Sequence, residues 1–282
     1  MFDSRNAGKN DTATASFELD RRIAIQKIMP VLALATKVHS ILKPESVIDL
    51  VDRAESHFRE ISEFQSTAVQ SVQPRKLSPR GWFVPTASSL SLDAVLDDQQ
   101  IKSLIAELMA GPLRQQISSH FHGAGLVVNL DQAWFRRQYV PADYPPLHSP
   151  HQWHQDGALN FDFQNFAGKD SGQGEVLQML TCWIALNSCG KQAPGLELLI
   201  EPISRLLGPA ELKPETVRSK YPPASYWRPQ MVAGEAIIFP GDTLHRTYVT
   251  PSMNQVRTSL ELRFFRAAAI PGRLSCDRYI KL

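Results

Sequence analysis

Val256-Arg257-Thr258-Ser259-Leu260-Glu261-Leu262-Arg263-Phe264 alternates without a break. Val256, Thr258, Leu260, Leu262 and Phe264 fall on one face, and Arg257, Ser259, Glu261 and Arg263 on the other. That is the period-two pattern of a β-strand with one apolar and one polar face. Four further stretches towards the N-terminus are rich in apolar, aromatic and β-branched residues: 125–130, 133–140, 176–186 and 236–239, the last closed by Pro240-Gly241-Asp242. Several strands separated by long loops point to a sandwich or barrel and away from a doubly wound parallel sheet.

Before residue 120 the texture is helical. Val47, Leu50, Val51, Ala54, Phe58, Ile61 and Phe64 recur at spacings of three and four, opposite Asp52, Glu55, Arg59, Glu60 and Glu63. Such a stripe predicts an amphipathic helix, with Pro44 and Glu45 in its first turn. A further helix is predicted over 97–109, ending near Gly111-Pro112. The expected architecture is mainly β with a helical buttress. Residues 1–15 are expected to be a disordered tail and 16–282 one domain, with 16–119 mostly helical and 120–282 the β core. Two loops stand out as candidate lids: 141–150, with four prolines and an expected stiff, extended course, and 165–174, with three glycines.

Composition excludes several classes. The 282 residues are 43% hydrophobic and 21% charged, which argues against disorder throughout, collagen and coiled coil. Thirty basic against 28 acidic side chains leave a net charge of +2, so nothing suggests a polyanionic partner or an electrostatic membrane anchor. Cys182, Cys189 and Cys276 are too few and too scattered for a disulfide framework or a Cys-rich zinc site. The first 20 residues contain no apolar core of a secretory signal, and the apolar run 176–189 is too short to span a bilayer. The C-terminal Ile280-Lys281-Leu282 departs from a peroxisomal address at its small position. A cytoplasmic protein with a small-molecule substrate, and without nucleic-acid or membrane partners, is the expectation. Oligomeric state is left open.

The chemistry concentrates in His151-Gln152-Trp153-His154-Gln155-Asp156-Gly157. Residues two apart on a strand share a face, so His154 and Asp156 can grip one metal ion from adjacent corners. With the histidines and aspartates present, chance alone gives roughly 0.4 His-x-Asp pairs in the chain, so context must carry the motif. His245, just after the Pro240-Gly241-Asp242 turn, is the best third ligand. Two histidines and one carboxylate on one face of an octahedron are the arrangement of non-haem Fe(II) oxygenases. Arg257, on the polar face of the alternating strand, offers a planar, permanently charged fork for a carboxylate. A metal triad with such an arginine makes a two-point site for a 2-oxo diacid, and Arg263 is its rival on the same face.

Trp153-His154-Gln155-Asp156-Gly157, Cys182-Trp183-Ile184-Ala185-Leu186 and the segment from Gly234 to His245, followed by the Arg257 strand, together resemble the phytanoyl-CoA dioxygenase family of Fe(II)/2-oxoglutarate oxygenases. The resemblance spans about residues 120–266 in the family's order. It implies a double-stranded β-helix (a cupin-like jelly roll) with the helices outside the larger sheet. It implies His154, Asp156 and His245 as Fe(II) ligands, Arg257 on the distal carboxylate of 2-oxoglutarate, and Thr247 supporting that carboxylate. Gln138 matches a strand position used for cosubstrate or substrate, with Arg136 as rival. The implied activity consumes O2 and 2-oxoglutarate, releases succinate and CO2, and oxidises a C–H bond of a small organic molecule such as a natural-product or lipid-type metabolite. Hydroxylation is the expected outcome, and Asp156 argues against halogenation, since related halogenases lack that carboxylate. Desaturation, epoxidation or cyclisation at the same site, and a non-catalytic cupin-like binding protein, are the alternatives. One departure is visible: Pro194-Gly195-Leu196-Glu197 stands where many members carry a Pro-Gly-Ser-His turn.

Other polar residues read as less specific. His120 and His122 have ligand-like spacing but no third partner, and read as structural. His148 and His151 flank the metal loop and read as exposed. Trp153 and Trp183 read as core.

Overall fold

The computed structural model describes residues 35–67, 86–122, 125–144, 149–158, 176–270 and 278–282. The alternating segment forms the longest strand, β10 (Arg257–Arg266), and the larger sheet is built on it. On one edge it pairs antiparallel with β5 (Met179–Ala185), from Ser259 opposite Ala185 to Phe265 opposite Met179. On the other edge it pairs first with β4 (Trp134–Gln138), Arg257 opposite Gln138, and then with β3 (Leu126–Asn129). β5 continues to β8 (Ala236–Pro240) and β8 to β1 (Thr36–Val38). β11 (Tyr279–Lys281) extends β3, and β2 (Ser89–Ser91) extends β4. A smaller sheet has the order β7 (Tyr226–Trp227), β6 (Gly195–Leu199), β9 (His245–Tyr248). Residues of both sheets line one cavity, as the jelly-roll expectation requires.

The apolar face of β10 meets the helices. Helix α1 (Pro44–Thr67) contributes Val47, Leu50, Ala54 and Phe58, and α3 (Asp98–Ala110) contributes Ile101, Leu104, Ile105 and Leu108. They form one cluster with Leu260, Leu262 and Phe264 of β10, Cys182 and Ile184 of β5, and Ile238 of β8. Each such large side chain contributes roughly 1.5–3 kcal/mol on burial. Polar contacts fix the helices in register. Glu107 of α3 accepts from Lys43 N (2.8 Å) and Ser46 Oγ (2.7 Å) at the start of α1. Glu55 of α1 takes the Thr258 hydroxyl (2.9 Å) and an ion pair with Arg137 of β4, tying that helix to the sheet.

The predicted helix over 97–109 is α3. Asp97 caps it, accepting from Gln100 N at 2.8 Å while Gln100 returns a bond to Asp97 N, a complete capping box. The predicted stop at Gly111-Pro112 is also a start. Pro112 occupies the first turn of α4 (Pro112–Phe121), where its missing N–H costs nothing. His122 ends α4 at φ 53°, a left-handed cap. Between α3 and β2 lies one short turn of helix, α2 (Leu92–Val95).

Two expectations are corrected. Beside its helices the N-terminal part also supplies β1 and β2, three residues each and too short to show a period. The Pro-rich loop begins with a tight helical turn at Pro141–Asp143, where proline's fixed φ suits that turn as well as an extended chain. The small sheet comes from residues read as turn and loop, including 195–199, where all five residues are buried, the charged Glu197 among them, so burial does not alternate along the strand. The tail 1–15, the glycine-rich loop 165–174, His148 and Cys276 lie outside the described residues, as does the Phe64 side chain.

Candidate metal centre

His154 does not share a regular strand with Asp156. It forms a two-way backbone bridge with His245, N to O 2.9 Å and 3.0 Å, adding an edge to the small sheet beside β9. Asp156 opens a tight helical turn, Asp156–Ala158. Gln155, fully buried between them, sets that bend. Its Nε2 donates to Arg205 O (2.9 Å) and Asp242 O (2.8 Å), and its Oε1 accepts from Leu207 N (2.7 Å). Gly157 N donates to Gly241 O at 2.7 Å, so the two glycine turns named in the sequence lie against each other. A Cβ on Gly157 would stand 2.8 Å from Gly241 O, a contact that only glycine avoids.

The result is a convergent donor set. One ligand atom from each of His154, Asp156 and His245 lies within 4.8 Å of the others. Asp156 Oδ1 is 3.6 Å from His154 Nε2 and 3.8 Å from His245 Nε2. The remaining atoms of the three side chains are committed elsewhere. His154 Nδ1 donates to Gln152 O (2.6 Å) and His245 Nδ1 to Thr243 O (3.0 Å). A carbonyl only accepts, so each Nδ1 carries the hydrogen and each Nε2 is the nitrogen left to face a metal. Asp156 Oδ2 accepts from Thr181 Oγ1 (2.6 Å) and Arg263 Nη2 (3.0 Å), which leaves Oδ1 for the centre. Two imidazole nitrogens and one carboxylate oxygen fit a first-row transition metal with open positions.

The electrostatics suit a cation. Burial opposes charge on Asp156, yet Arg263, the two histidines and the Thr181 hydroxyl hold its carboxyl far below the ordinary carboxylate range. Burial, then His245, pushes His154 down to about 4 against the pull of Asp156, so its imidazole is neutral at neutral pH.

The cavity of about 160 Å³ contains the triad together with Arg257, Thr247 and Gln138. Arg257 is buried at 4% exposure. Its guanidinium lies 5.2 Å from the Trp183 ring centre, its Nη1 reaches Gly195 O at 3.3 Å, and its Nε has no hydrogen-bond partner among the described residues. Thr247 is buried on β9, and Gln138 sits directly across from Arg257, with Nε2 on Tyr139 O at 3.0 Å. Arg263, the rival to Arg257, is committed to Asp156. Trp153 belongs to an apolar cluster with Leu199, Leu207 and Leu244, as read. Trp183 is core and cavity wall at once. His151 is exposed, as read, and also lines the cavity. Sequence reasoning missed Gln155 and Thr181. Thr181 carried a signal, a polar residue inside an apolar run; Gln155 carried none. His120 and His122 lie outside the cavity lining.

No protein-family model matches the sequence, and no curated protein matches it. Solved structures do. The crystal structure of EctD from S. alaskensis with 2-oxoglutarate and 5-hydroxyectoine superimposes with a TM-score of 0.53 at 13% identity, over 83% of this chain and 73% of that one. The same protein with bound Fe gives 0.52 at 12% identity, over 86% and 74%. EvdMO1 gives 0.51 at 13% identity, over 83% of this chain and 47% of that one. At these identities the likeness is one of fold, and it agrees with the jelly-roll reading of the two sheets. No helix among the described residues is long and apolar enough to cross a membrane.

Proposed function

We propose that the chain is an Fe(II)- and 2-oxoglutarate-dependent oxygenase that hydroxylates a small organic molecule. One observation carries this reading: the same cavity that holds the His154, Asp156, His245 donor set holds a buried arginine, Arg257, with an unsatisfied N–H. A buried guanidinium without a carboxylate is costly, and an anionic ligand resolves that cost. The sequence resemblance and the structural likeness to EctD, which has been solved with 2-oxoglutarate and with Fe, agree with it.

Fe(II) held there would supply activation of O2 coupled to oxidative decarboxylation of 2-oxoglutarate. The protein's own contribution follows from the geometry. The Gln152 and Thr243 carbonyls hold His154 and His245 in the ligating tautomer. Arg263 and Thr181 keep Asp156 ionised and turn Oδ1 to the metal. Arg257 receives the distal carboxylate of the cosubstrate, and the Thr247 hydroxyl and Gln138 amide supply neutral hydrogen bonds beside it. Trp183 under the guanidinium and Phe239 beside His245 exclude water from the charged contacts.

The test is anaerobic titration of the metal-free protein with Fe(II) and 2-oxoglutarate, following the visible charge-transfer absorption of the chelate. A band in the wild type that is absent in His154→Ala supports the reading. A folded wild type with no band overturns it.

A further inference from the structure

The charges lining the cavity do not balance among the described residues. Arg137, though on the lining, is paired with Glu55 on the helical side of the sheet. Three guanidiniums remain, Arg136, Arg257 and Arg263, against two carboxylates, Asp156 and Glu261. On the proposed function, upon which this inference rests, a divalent metal and a dianionic cosubstrate cancel each other. One positive charge is left over, and its location can be read from the contacts. Arg263 is spent on Asp156 at 3.0 Å. Arg257 faces Gln138 at one end of the β4–β10 ladder and is the buried arginine assigned to the cosubstrate. Arg136 is opposite Ser259, one rank further along the same face, roughly 7 Å on. Its Nη1 is fixed by Ser89 Oγ at 2.6 Å, and its guanidinium lies 4.8 Å from the Trp134 ring centre. Its only carboxylate contact among the described residues is Glu261, at 3.5 Å, the outer limit of a hydrogen bond, and Glu261 is shared with Arg263 at 3.7 Å. Nη2 donates to nothing among the described residues.

We propose that Arg136 binds a carboxylate of the primary substrate, so that the oxidised molecule is a small organic acid. The planar fork, held from one side by Ser89 and from below by Trp134, presents its free edge as a carboxylate receptor. The single surplus charge matches a monoanion. A phosphate monoester, near −2 at neutral pH, overcompensates it. Arg136 is a binding residue in this scheme and also a positioning one, because an acid anchored one rank from Arg257 is held beside the cosubstrate.

Calorimetry tests this on wild-type protein saturated with Fe(II) and 2-oxoglutarate without O2, using benzoate and its neutral isostere benzamide as probes. Wild type is expected to bind benzoate at least tenfold more tightly than benzamide. Arg136→Gln is expected to abolish that preference and Arg136→Lys to restore part of it. The affinity for 2-oxoglutarate, read from the chelate band, is expected to change less than twofold in both. Equal binding of the two probes by wild type, or no binding of either, overturns the proposal. So does an Arg136→Gln variant that loses 2-oxoglutarate as much as benzoate, since that gives Arg136 to the cosubstrate. Absence of the chelate band in wild type is a separate outcome, and it overturns the oxygenase reading beneath.

Discussion

Arg263 Nη2 donates to Asp156 Oδ2 at 3.0 Å, and this one contact decides what the other oxygen of Asp156 can do. With Oδ2 also holding the Thr181 hydroxyl, Oδ1 is the atom left to face both histidines. The pair also sets a pH dependence. Asp156 is depressed, so its contribution is present above the ordinary carboxyl pKa near 3.9 and is lost only as pH falls far below it. In Arg263→Gln the burial penalty loses its main opponent, and the Asp156 pKa rises. The variant is expected to bind metal roughly 10–100-fold more weakly, with the deficit growing from pH 8 to pH 5. Thr181→Val, which removes one neutral hydrogen bond, should show a smaller deficit. Metal titrations across that range check both. Parallel pH profiles for wild type and Arg263→Gln exclude this role.

Arg257 and Arg263 lie six positions apart on one strand and one face, yet their substitutions should separate cleanly. Arg257→Gln is expected to leave metal affinity nearly intact and to raise the 2-oxoglutarate concentration needed for the chelate band by roughly 10–150-fold, the worth of a charge-assisted hydrogen bond. Arg257→Lys should recover only part, since a lysine is a point charge rather than a planar fork. An Arg257→Gln protein that titrates like wild type removes the cosubstrate assignment.

That separation also shows what the sequence could disclose. The alternation in β10 gave both the apolar face against α1 and the polar face in the cavity, because a long strand with one face on a core has a visible period. It could not divide labour between Arg257 and Arg263: the division depends on Thr181 and Asp156, which lie across the sheet and in a separate loop. His154, Asp156 and His245 were legible as residue types at a spacing, but the reason they converge was not. Gln155 bends the chain between two ligands through bonds to Arg205, Asp242 and Leu207, all far away in sequence. β1, β2 and β7 span two or three residues and have no period to read. β6 is buried on both faces, Glu197 included, where it pairs with Arg228 and Arg246, so its burial does not follow its apolar pattern.

His120 provides an acid-stability prediction away from the metal. Burial, then the neighbouring His122 charge, lowers it to about 4, and its Nδ1 has no partner among the described residues. Between about pH 6.5 and 4 the unfolded chain binds a proton there that the folded chain does not. Stability is therefore lost as pH falls through that window. His154 acts in the same direction in the metal-free protein. His120→Leu should shrink the fall in Tm between pH 7 and pH 5, measured with chelator present, by roughly 2–4 °C, the shift about 1 kcal/mol produces at this size. Partial exposure of His120 keeps the shift small. An unchanged Tm difference rules out His120 as a contributor.

Gly157 links stability to the site most directly. Its N–H bonds Gly241 O at 2.7 Å, and an added Cβ would meet Gly241 O at 2.8 Å and Val176 Cγ1 at 2.9 Å. One of these partners is backbone and the other a branched side chain, and neither can swing aside, so Gly157→Ala must push the two turns apart. Overpacking of this kind costs roughly 1–3 kcal/mol. The displacement falls on Asp156, the preceding residue, whose Oδ2 must stay within reach of Thr181 and Arg263. Gly157→Ala should therefore lower Tm and weaken metal binding together. Gly241→Ala, which meets Met179 Cγ at 2.8 Å, Leu177 O at 2.9 Å and Gly157 Cα at 3.0 Å, should lower Tm with a smaller effect on the metal, because its two closest clashes are with residues remote from the ligands and it reaches Asp156 only through Gly157. Thermal melts and metal titrations on both variants decide the matter. Equal metal loss in the two would mean that the glycine contact acts through global stability rather than by aiming Asp156.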